Sequence, residues 1–343
     1  MPDYSQRSDT ASPTVATRRL SAHGAAGERL DRFLADRLDG ISRTRVQRWI
    51  GLGAVRVEQA LRLPSYRLSG HEEVEVEPQP LESEQAFLPD PVPLQILYRD
   101  EDIVVIDKPA GLVTHPAPGN WRGTLMNGLL HAWPGSAKLP RAGIVHRLDR
   151  DTTGVMVCAR SERAFVCLTE QLASRTMGRE YLAVVAGAID EHGRIDAPIG
   201  RDPRNRLRMA VADGAGAVGA QAAKPARTEY RVIARGRQTQ REHAAVICRL
   251  HTGRTHQIRV HLASIGHPLV GDAVYGGPPH PGFERQALHA WRLRLRHPAT
   301  GAPLSVEAPI PADLARLLDE VGMAGPLTLP PAEAPADEAD AGR

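Results

Sequence analysis

A polar segment between two apolar runs contains residue types that are suited to catalysis. Residues 146–154 read HRLDRDTTG, and the apolar residues at 144–145 and 155–157 predict strands on both sides of a loop. Loops held between strands often carry catalytic groups. Asp149 has an arginine within two residues on each side, and a nearby guanidinium favours the ionised form of a carboxyl group. We therefore expect an anion that acts as a nucleophile or base, although a surface loop of mutually screened ion pairs would show the same pattern.

A second polar cluster lies further along the chain, at residues 250–262, which read LHTGRTHQIRVHL. Thr255 is placed to cap a helix there. Arg254 and Arg259 would then lie at the amino end of that helix, where the backbone dipole adds positive potential. We expect this end of the helix to attract a carboxylate or a phosphate.

The two histidines of this cluster do not predict a metal site. On a helix, His256 and His261 would point about 140° apart, because each residue turns about 100°. A zinc-binding pair of the HExxH kind requires a spacing of four residues. The sequence also shows no nucleotide-binding glycine pattern and no other cluster of metal ligands, so we expect neither a metal nor a cofactor.

Composition indicates a globular protein of about two domains. The chain has 343 residues, of which 42% are hydrophobic and 24% charged, and no run approaches the ~18 apolar residues of a membrane-spanning helix. Its three cysteines form no CxxC pair and its amino terminus has no apolar signal segment, so we expect a cytoplasmic protein. A net charge of +3, a pI of about 8.9 and frequent arginine agree with a nucleic-acid partner, and equally with a GC-rich coding sequence.

The amino-terminal region predicts a small basic domain. Residues 1–26 are rich in Ser, Thr, Ala and Arg without periodicity, which indicates a disordered tail. A first helix is expected at 28–38, and Ser42 can cap a second one, after which short strands begin near residue 55. The segment 41–56 contains four arginines and no acid: Arg43, Arg45, Arg48 and Arg56.

The two polar clusters resemble motifs of the RluA/RluD-type RNA pseudouridine synthase family, in particular its RluD-like members with an amino-terminal S4 domain. HRLDRDTTG is similar to the active-site motif, which implies that Asp149 is catalytic and that Arg147 assists flipping of the target base. TGRTHQIRVHL is similar to the motif whose arginine, here Arg259, pairs with the catalytic aspartate. The family's Lys-x-Tyr is replaced by REY at 179–181, which implies that Tyr181 lies against the flipped uracil and could assist removal of its C5 proton.

The helix, helix, strand order of the amino-terminal region resembles an S4 RNA-binding domain. The resemblance implies that its four arginines bind RNA, since phosphate contacts give affinity without sequence information. We also expect Arg254, at the amino end of the later helix, to bind RNA. The family's usual Asn-Gly turn after the first strand is replaced here by Glu58-Gln59. Other stretches, such as DKPAGLVTHP with Lys108 and His115 and the GDAVY sequence at 271–275, resemble framework motifs and are expected to have structural roles.

The fold class that follows is α+β: a small S4 RNA-binding domain, then a catalytic domain with a mixed, largely antiparallel central sheet. The resemblance covers about residues 28–318. The predicted segments are a disordered tail (1–26), the S4-like domain (27–80), a linker (81–94), the catalytic domain (95–318) and a mostly disordered tail (319–343).

The resemblance implies an isomerase that converts specific uridines of RNA to pseudouridine without a cofactor. Large-subunit (23S) ribosomal RNA is the expected target, because relatives with an S4 domain resemble the rRNA-modifying branch, and tRNA is the alternative. We expect a monomer, with RNA as its partner and no membrane association. Two other hypotheses stay open: a non-catalytic RNA-binding assembly factor, and a glycosidic-bond hydrolase with Asp149 and Asp151 as its carboxylate pair. Whether Asp149 attacks the sugar covalently or removes a proton to give a glycal also stays open.

Overall fold

The structure of the chain is a computed structural model. It describes residues 16–79, 82–205, 208–212 and 223–323, together with residues 325 and 329. The chain divides into two compact units, residues 1–84 and 85–343. In the described part of the chain, no helix has the length and apolar character that crossing a membrane would require.

The first unit combines two helices with a three-stranded antiparallel sheet. Its elements are β1 (Arg18–Ser21), α1 (Leu30–Arg37), α2 (Arg43–Gly51), β2 (Val55–Val57) and β3 (Glu73–Val76), with the sheet order β1-β3-β2. Helix α2 begins after Ser42, whose hydroxyl accepts a hydrogen bond from the N–H of Arg45, as predicted. One apolar core joins the helices to the strands and includes Leu30, Phe33, Leu34, Val46, Trp49, Val55 and Val74.

Strand β1 contradicts the expectation of a disordered tail over residues 16–26. It pairs with β3 along its whole length, from Arg18 opposite Val76 to Ser21 opposite Glu73, and the following Ala22 is buried. Three of its four residues are exposed, so the strand has no alternation of apolar and polar residues that the sequence could reveal. Residues 1–15 of the predicted tail lie outside the described residues.

The second unit is built around a nine-stranded sheet. The strands of this unit are β4 (Gln95–Arg99), β5 (Ile103–Lys108), β6 (Thr153–Ala159), β7 (Gly178–Ala186), β8 (His192–Asp196), β9 (Ile199–Arg201), β10 (Met209–Val211), β11 (Arg227–Gln238), β12 (Arg241–Leu250), β13 (Leu288–Arg296) and β14 (Pro303–Glu307). The order of the large sheet is β4-β5-β6-β13-β7-β12-β11-β8, with β14 also paired to β13, while β9 and β10 form a separate two-stranded arm. Within the described strands β6 and β13 run parallel and the other neighbours antiparallel, which confirms the predicted mixed, largely antiparallel sheet.

Among the described residues, four α-helices and three 3-10 helices complete the fold, and the first 3-10 helix begins before the boundary between the units at residue 84. They are α3 (Leu125–Ala132), α4 (Glu162–Ala173), α5 (Gln257–Ser264) and α6 (Ala312–Glu320), with 3-10 helices at Glu82–Phe87, Pro134–Lys138 and Pro140–Gly143. The central strand β7 has a core on each face: Ala183 and Val185 belong to one apolar cluster, and Leu182 and Val184 to a second that includes residues of α6. Alternate residues of β7 therefore face different environments.

The folded part of this unit extends beyond the predicted catalytic domain at both ends. In the segment predicted as a linker, the carbonyls of Ala86 and Leu88 accept hydrogen bonds from the buried side chain of Asn127. At the other end, Val321 and Met323 are buried in the cluster that contains α6, although they fall in the predicted tail. These contacts depend on partners far along the chain, which local composition does not reveal.

Candidate active site

A cavity of about 470 Å³ lies among the loop before β6, strand β7 and the loop that leads into α5. Asp149 is the one carboxylate among the described residues that line this cavity. Four other residues that the sequence singled out line it as well: Arg147, Tyr181, Arg254 and Arg259. The fold thus brings together groups that are up to 112 residues apart in sequence, as the 147–259 pair shows.

Two buried side chains hold the backbone around Asp149 in place by hydrogen bonds. The hydroxyl of Thr114 donates to the carbonyl of Leu148 at 3.0 Å, and the ammonium of Lys108 donates to the carbonyl of Arg150 at 2.8 Å. Lys108 is fully buried, and burial lowers the pKa of its ammonium to about 8. The carbonyl groups of the residues on both sides of Asp149 are therefore fixed, in line with the structural role expected for Lys108.

Arg259 orients the Asp149 carboxylate and is itself clamped by a second acid. Its Nε and Nη2 donate to the two oxygens of Asp272 at 2.7 and 2.9 Å, which leaves Nη1 to donate to Oδ2 of Asp149 at 3.1 Å. Burial alone would lower the pKa of Arg259, but the hydrogen bonds and charge of Asp272, with Asp149 adding to them, hold that pKa above its ordinary value. A bidentate clamp of this kind gives the third donor a fixed direction.

Among the described residues, no ion pair joins Asp149 to an arginine beside it in sequence. Arg150 instead pairs with Asp151 at 3.1 Å, and Arg147 is exposed at the cavity. The arginine that donates a hydrogen bond to Asp149 is Arg259, 110 residues away. Asp151 is not among the residues that line the cavity, which leaves the hydrolase hypothesis without its second carboxylate.

Tyr181 lies in β7 with its side chain buried at the floor of the cavity. Burial raises the pKa of its hydroxyl, and the nearby Asp149 adds to this, whereas Arg179 opposes it. The phenol is therefore protonated at neutral pH. Arg179 stands two residues earlier on the same strand and lines the same cavity.

Comparison with known proteins assigns this arrangement to a family. Residues 102–264 match the model of the RNA pseudouridylate synthases, and residues 28–74 match the S4 domain. The chain is 46% identical over 330 residues to the ribosomal large subunit pseudouridine synthase D of Neisseria meningitidis serogroup A, covering 92% of this chain and 85% of the relative. The chain belongs to the RNA pseudouridylate synthase family. It is an isomerase that acts on RNA.

Other relatives and solved structures agree with the family. The enzyme of the same name from Nitrosomonas europaea is 47% identical over 304 residues, which cover 86% of this chain and 85% of the relative. Human RNA pseudouridylate synthase domain containing 1 has a TM-score of 0.51 and 29% identity, with coverage of 65% of this chain and 85% of the human one. Its counterpart, domain containing 4, has a TM-score of 0.51 and 25% identity over 66% and 92% of the two chains.

Helix α5 begins at a different residue from the one that the sequence predicts. The predicted cap, Thr255, is not the residue that precedes the helix. His256 holds that position in the left-handed conformation, with φ 56°, and the helix begins at Gln257. The side-chain oxygen of Gln257 accepts hydrogen bonds from the N–H of Arg254 and the hydroxyl of Thr252, and so closes the loop against the helix. A left-handed histidine has no signature in the sequence.

Three residues of the site were missed by the sequence analysis. Asp272 clamps Arg259, and Tyr275 lies with its ring 5.1 Å from the Arg259 guanidinium. His256 has Nδ1 2.9 Å from the Tyr275 hydroxyl and Nε2 3.9 Å from Oδ2 of Asp149. Burial lowers the pKa of His256, against the opposing effect of Asp149, so the imidazole is neutral at pH 7. The GDAVY motif was the available signal for the first two, but it was assigned to the framework.

The predicted RNA-binding arginines of the first unit are not equivalent. Arg43 donates to the buried Asp31 at 3.0 Å, so the window 41–56 lacks an acid in sequence but not in space. Arg45 lies over the ring of Trp49, 5.1 Å from its centroid. Arg48 and Arg56 are exposed, and Arg56 donates to the carbonyl of a neighbouring turn. Asp31 thus accepts one hydrogen bond from the Arg43 guanidinium, whose side chain remains half exposed.

The turn that replaces the family's Asn-Gly keeps the same backbone path. Glu58 and Gln59 both have positive φ, 48° and 61°, which is the geometry of a type I′ turn. Hydrogen bonds in both directions between Val57 and Ala60 close it at 2.9 Å. The loop shape is therefore retained with residues that adopt the left-handed region at a cost.

Proposed function

We propose that this synthase converts uridines of large-subunit ribosomal RNA to pseudouridine, with Asp149 as its catalytic carboxylate. The observation that carries the proposal is the chain of contacts from Asp272 through Arg259 to Asp149 in a cavity with no other carboxylate among its described lining residues. A carboxylate held in one direction is the preorganised group that this chemistry needs.

The reaction detaches uracil from C1′ of its ribose, rotates the base and rejoins it through C5. It requires a carboxylate near C1′, a pocket that excludes water and a base taken out of its stack. Asp149 supplies the carboxylate, and the buried floor with Tyr181 supplies a flat surface for the base. Both a covalent attack and a glycal route use the same placement of Asp149.

The other residues of the site take roles that follow from their exposure. Arg147 is exposed at the cavity and is suited to support the nucleotide that has left the stack. Arg254 is half-buried at the cavity, where its side chain also donates to the carbonyl of Pro225. It is suited to bind a phosphate beside the target, while Arg45, Arg48 and Arg56 of the S4 domain bind phosphates elsewhere on the RNA.

The target and setting rest on the relatives. Enzymes whose names specify the ribosomal large subunit share 46 and 47% identity with this chain and most of its length. A separate basic domain suits a large RNA that offers phosphates far from the target base, and unpaired loops suit an enzyme that extrudes bases. We take the working form to be a monomer in the cytoplasm, where ribosomal RNA is found.

Mapping pseudouridine in total RNA from cells with and without the gene tests the proposal. Loss of one or more 23S sites, restored by the wild-type protein and not by Asp149→Asn, is the expected result. Loss of a tRNA site with every 23S site intact would move the target to tRNA and leave the chemistry standing. An unchanged map in both RNAs would favour the non-catalytic assembly factor.

A further inference from the structure

Arg179 is a buried charge without a partner. Its side chain lies on β7 at the floor of the cavity, and the residue is 8% exposed. Among the residues that the structure describes, no carboxylate forms an ion pair with it, and its Nε–H is buried with no acceptor. Burial lowers the pKa of Arg179, but a guanidinium begins so high that it stays charged at neutral pH.

The acid next to Arg179 in sequence does not compensate this charge. Glu180 points to the opposite face of β7, where its two carboxylate oxygens accept from Arg294 at 2.8 Å and from Arg292 at 3.4 Å. The strand thus places a fully paired glutamate on one face and an unpaired arginine on the other. Arg179 shares its face with Tyr181, two residues away.

The surroundings of Arg179 are shaped to admit it. A Cβ on Gly253 would lie 2.7 Å from its Nη1, so the loop opposite has no side chain where the guanidinium passes. His146 lines the same cavity, and its Nε2 accepts a hydrogen bond from the N–H of Val157 at 3.1 Å. Its Nδ1 therefore carries the proton, and that N–H is also buried without an acceptor. Both N–H groups thus lack an acceptor among the residues that the structure describes.

The cost of such a group identifies it as functional. An unpaired buried charge destabilises a protein by several kcal/mol, because the lost hydration is not replaced. A carboxylate within reach would remove that cost, and every other described buried arginine of this sheet has one: Arg292 and Arg294. We therefore expect a buried charge that lowers stability and has no structural benefit to take part in the reaction.

Resting on the proposed function, we propose that Arg179 is a catalytic residue that binds the carbonyl oxygens of the flipped uracil and stabilises the base as an anion. When the N1–C1′ bond breaks, its electron pair stays on N1 and the negative charge spreads onto the carbonyl oxygens. Asp149 meets the sugar carbon that is left electron-poor. The base then rejoins through C5, which loses its proton while N1 gains one, so the overall reaction is an isomerisation. A fixed guanidinium is strongest where this charge develops.

The position of Arg179 favours uracil over a phosphate of the RNA backbone. The arginines suited to phosphates are exposed at the mouth of the cavity, namely Arg141, Arg147 and Arg175. Arg179 lies below them beside Tyr181, whose ring would lie flat against the base. A phosphate at this depth would have to lose its hydration, and its ribose would have to pass Tyr181. A flat base fits this part of the cavity.

Arg179→Met tests the inference because it keeps the length of the side chain and removes the charge. We expect kcat to fall by about 10²-fold, as for loss of one donor to a developing anion, while the KM for RNA changes little. The melting temperature should rise, because an unpaired buried charge is replaced by an apolar group. Arg179→Lys should recover part of kcat. Arg292→Met is the matched control: it removes a buried arginine with partners, so it should lower the melting temperature.

A second substrate separates an effect on the anion from an effect on binding. Fluorine at C5 makes the detached uracil a more stable anion, so single-turnover loss of 5-fluorouridine from the same RNA should be less impaired by Arg179→Met than conversion of uridine. An equal loss on both substrates, a change confined to KM, or a fall in melting temperature would overturn the role of Arg179. A wild-type protein that converts no uridine would overturn the proposed function as well, which is a distinguishable outcome.

Discussion

Arginine is concentrated in two regions of the molecule and is used differently in each. On the surface of the first unit Arg56 is exposed and touches only a neutral carbonyl, whereas in the cavity of the second unit Arg259 is buried between two carboxylates. The difference comes from buried acids, since Asp272 fixes Arg259 and Asp31 fixes Arg43. A guanidinium beside a buried acid can orient a reacting group, whereas one without such an acid is available to phosphate. The local density of arginine does not make this distinction.

The largest effect is expected at the group that Arg259 orients. Asp149→Asn should abolish turnover while folding and RNA binding stay nearly intact, because the amide has the same shape but is neither nucleophilic nor basic. Release of tritium from RNA labelled at C5 of uridine measures turnover, and filter binding measures affinity. Measurable release by the purified variant would remove Asp149 from the catalytic role.

The clamp itself gives the next largest effect. Asp272→Asn should lower kcat by about 10²-fold, because Arg259 loses its fixed direction and a small misplacement of a catalytic group is costly. RNA affinity should not change. Asp313→Asn is the matched control, since Asp313 holds Arg285 at 2.7 and 3.0 Å in the same bidentate way and does not line the cavity. Equal losses of kcat in the two variants would show that Asp272 acts through stability alone.

Arg147→Ala should reduce activity in a manner that depends on the substrate. If Arg147 supports the extruded nucleotide, its loss leaves the cost of extrusion, a few kcal/mol, uncompensated. The reduction in kcat/KM should therefore shrink on an RNA whose target uridine is already mispaired or unpaired. The same reduction on paired and unpaired substrates would count against a role in flipping.

A smaller effect distinguishes two arginines of the S4 domain. Arg56→Ala should weaken RNA binding and lower the slope of log Kd against log salt by about one, because one phosphate contact is lost. Arg43→Ala should leave that slope nearly unchanged and lower the melting temperature instead, because Asp31 loses a partner. Identical slopes in both variants would mean that Asp31 does not withdraw Arg43 from the RNA.

The smallest effect concerns the turn of the first unit. Gln59→Gly should stabilise the fold by about 1 kcal/mol, because a left-handed non-glycine residue is replaced by one without the steric cost. Chemical denaturation measures the change, with Gln59→Ala as a control that keeps the Cβ. A stability below that of the wild type would indicate that the side chain of Gln59 contributes more than the strain costs.

The sequence predicted the groups of the site better than the contacts that hold them. Asp149 and Arg259 were paired by resemblance, and the structure places them 3.1 Å apart. The neighbouring Arg150 pairs with Asp151, while the arginine bonded to Asp149 comes from another element, because spacing along the chain does not report side-chain direction. The sequence assigns Asp272 a structural role, because it stands in the short GDAVY motif and its partner, Arg259, comes from another element.

The fold shows the same limit. The mixed sheet follows from the family resemblance, whereas the cap at Ser42 is predicted from the sequence itself because capping residues act locally. The sequence does not predict strand β1, because its residues are mostly exposed and the strand is defined by its pairing with β3. The predicted start of α5 differs from the observed one by one residue, because His256 precedes the helix in a left-handed backbone conformation that the sequence does not reveal.

The register of β7 determines the electrostatics of the cavity as well as the packing of the core. A slip of one residue would turn every side chain of the strand to the other face. Glu180 would then enter the cavity beside Asp149, while Arg179 and Tyr181 would leave it. The same slip would exchange the alternating residues 182–185 between the two apolar clusters. The hydrophobic packing of β7 thus also determines which charged side chains face the cavity.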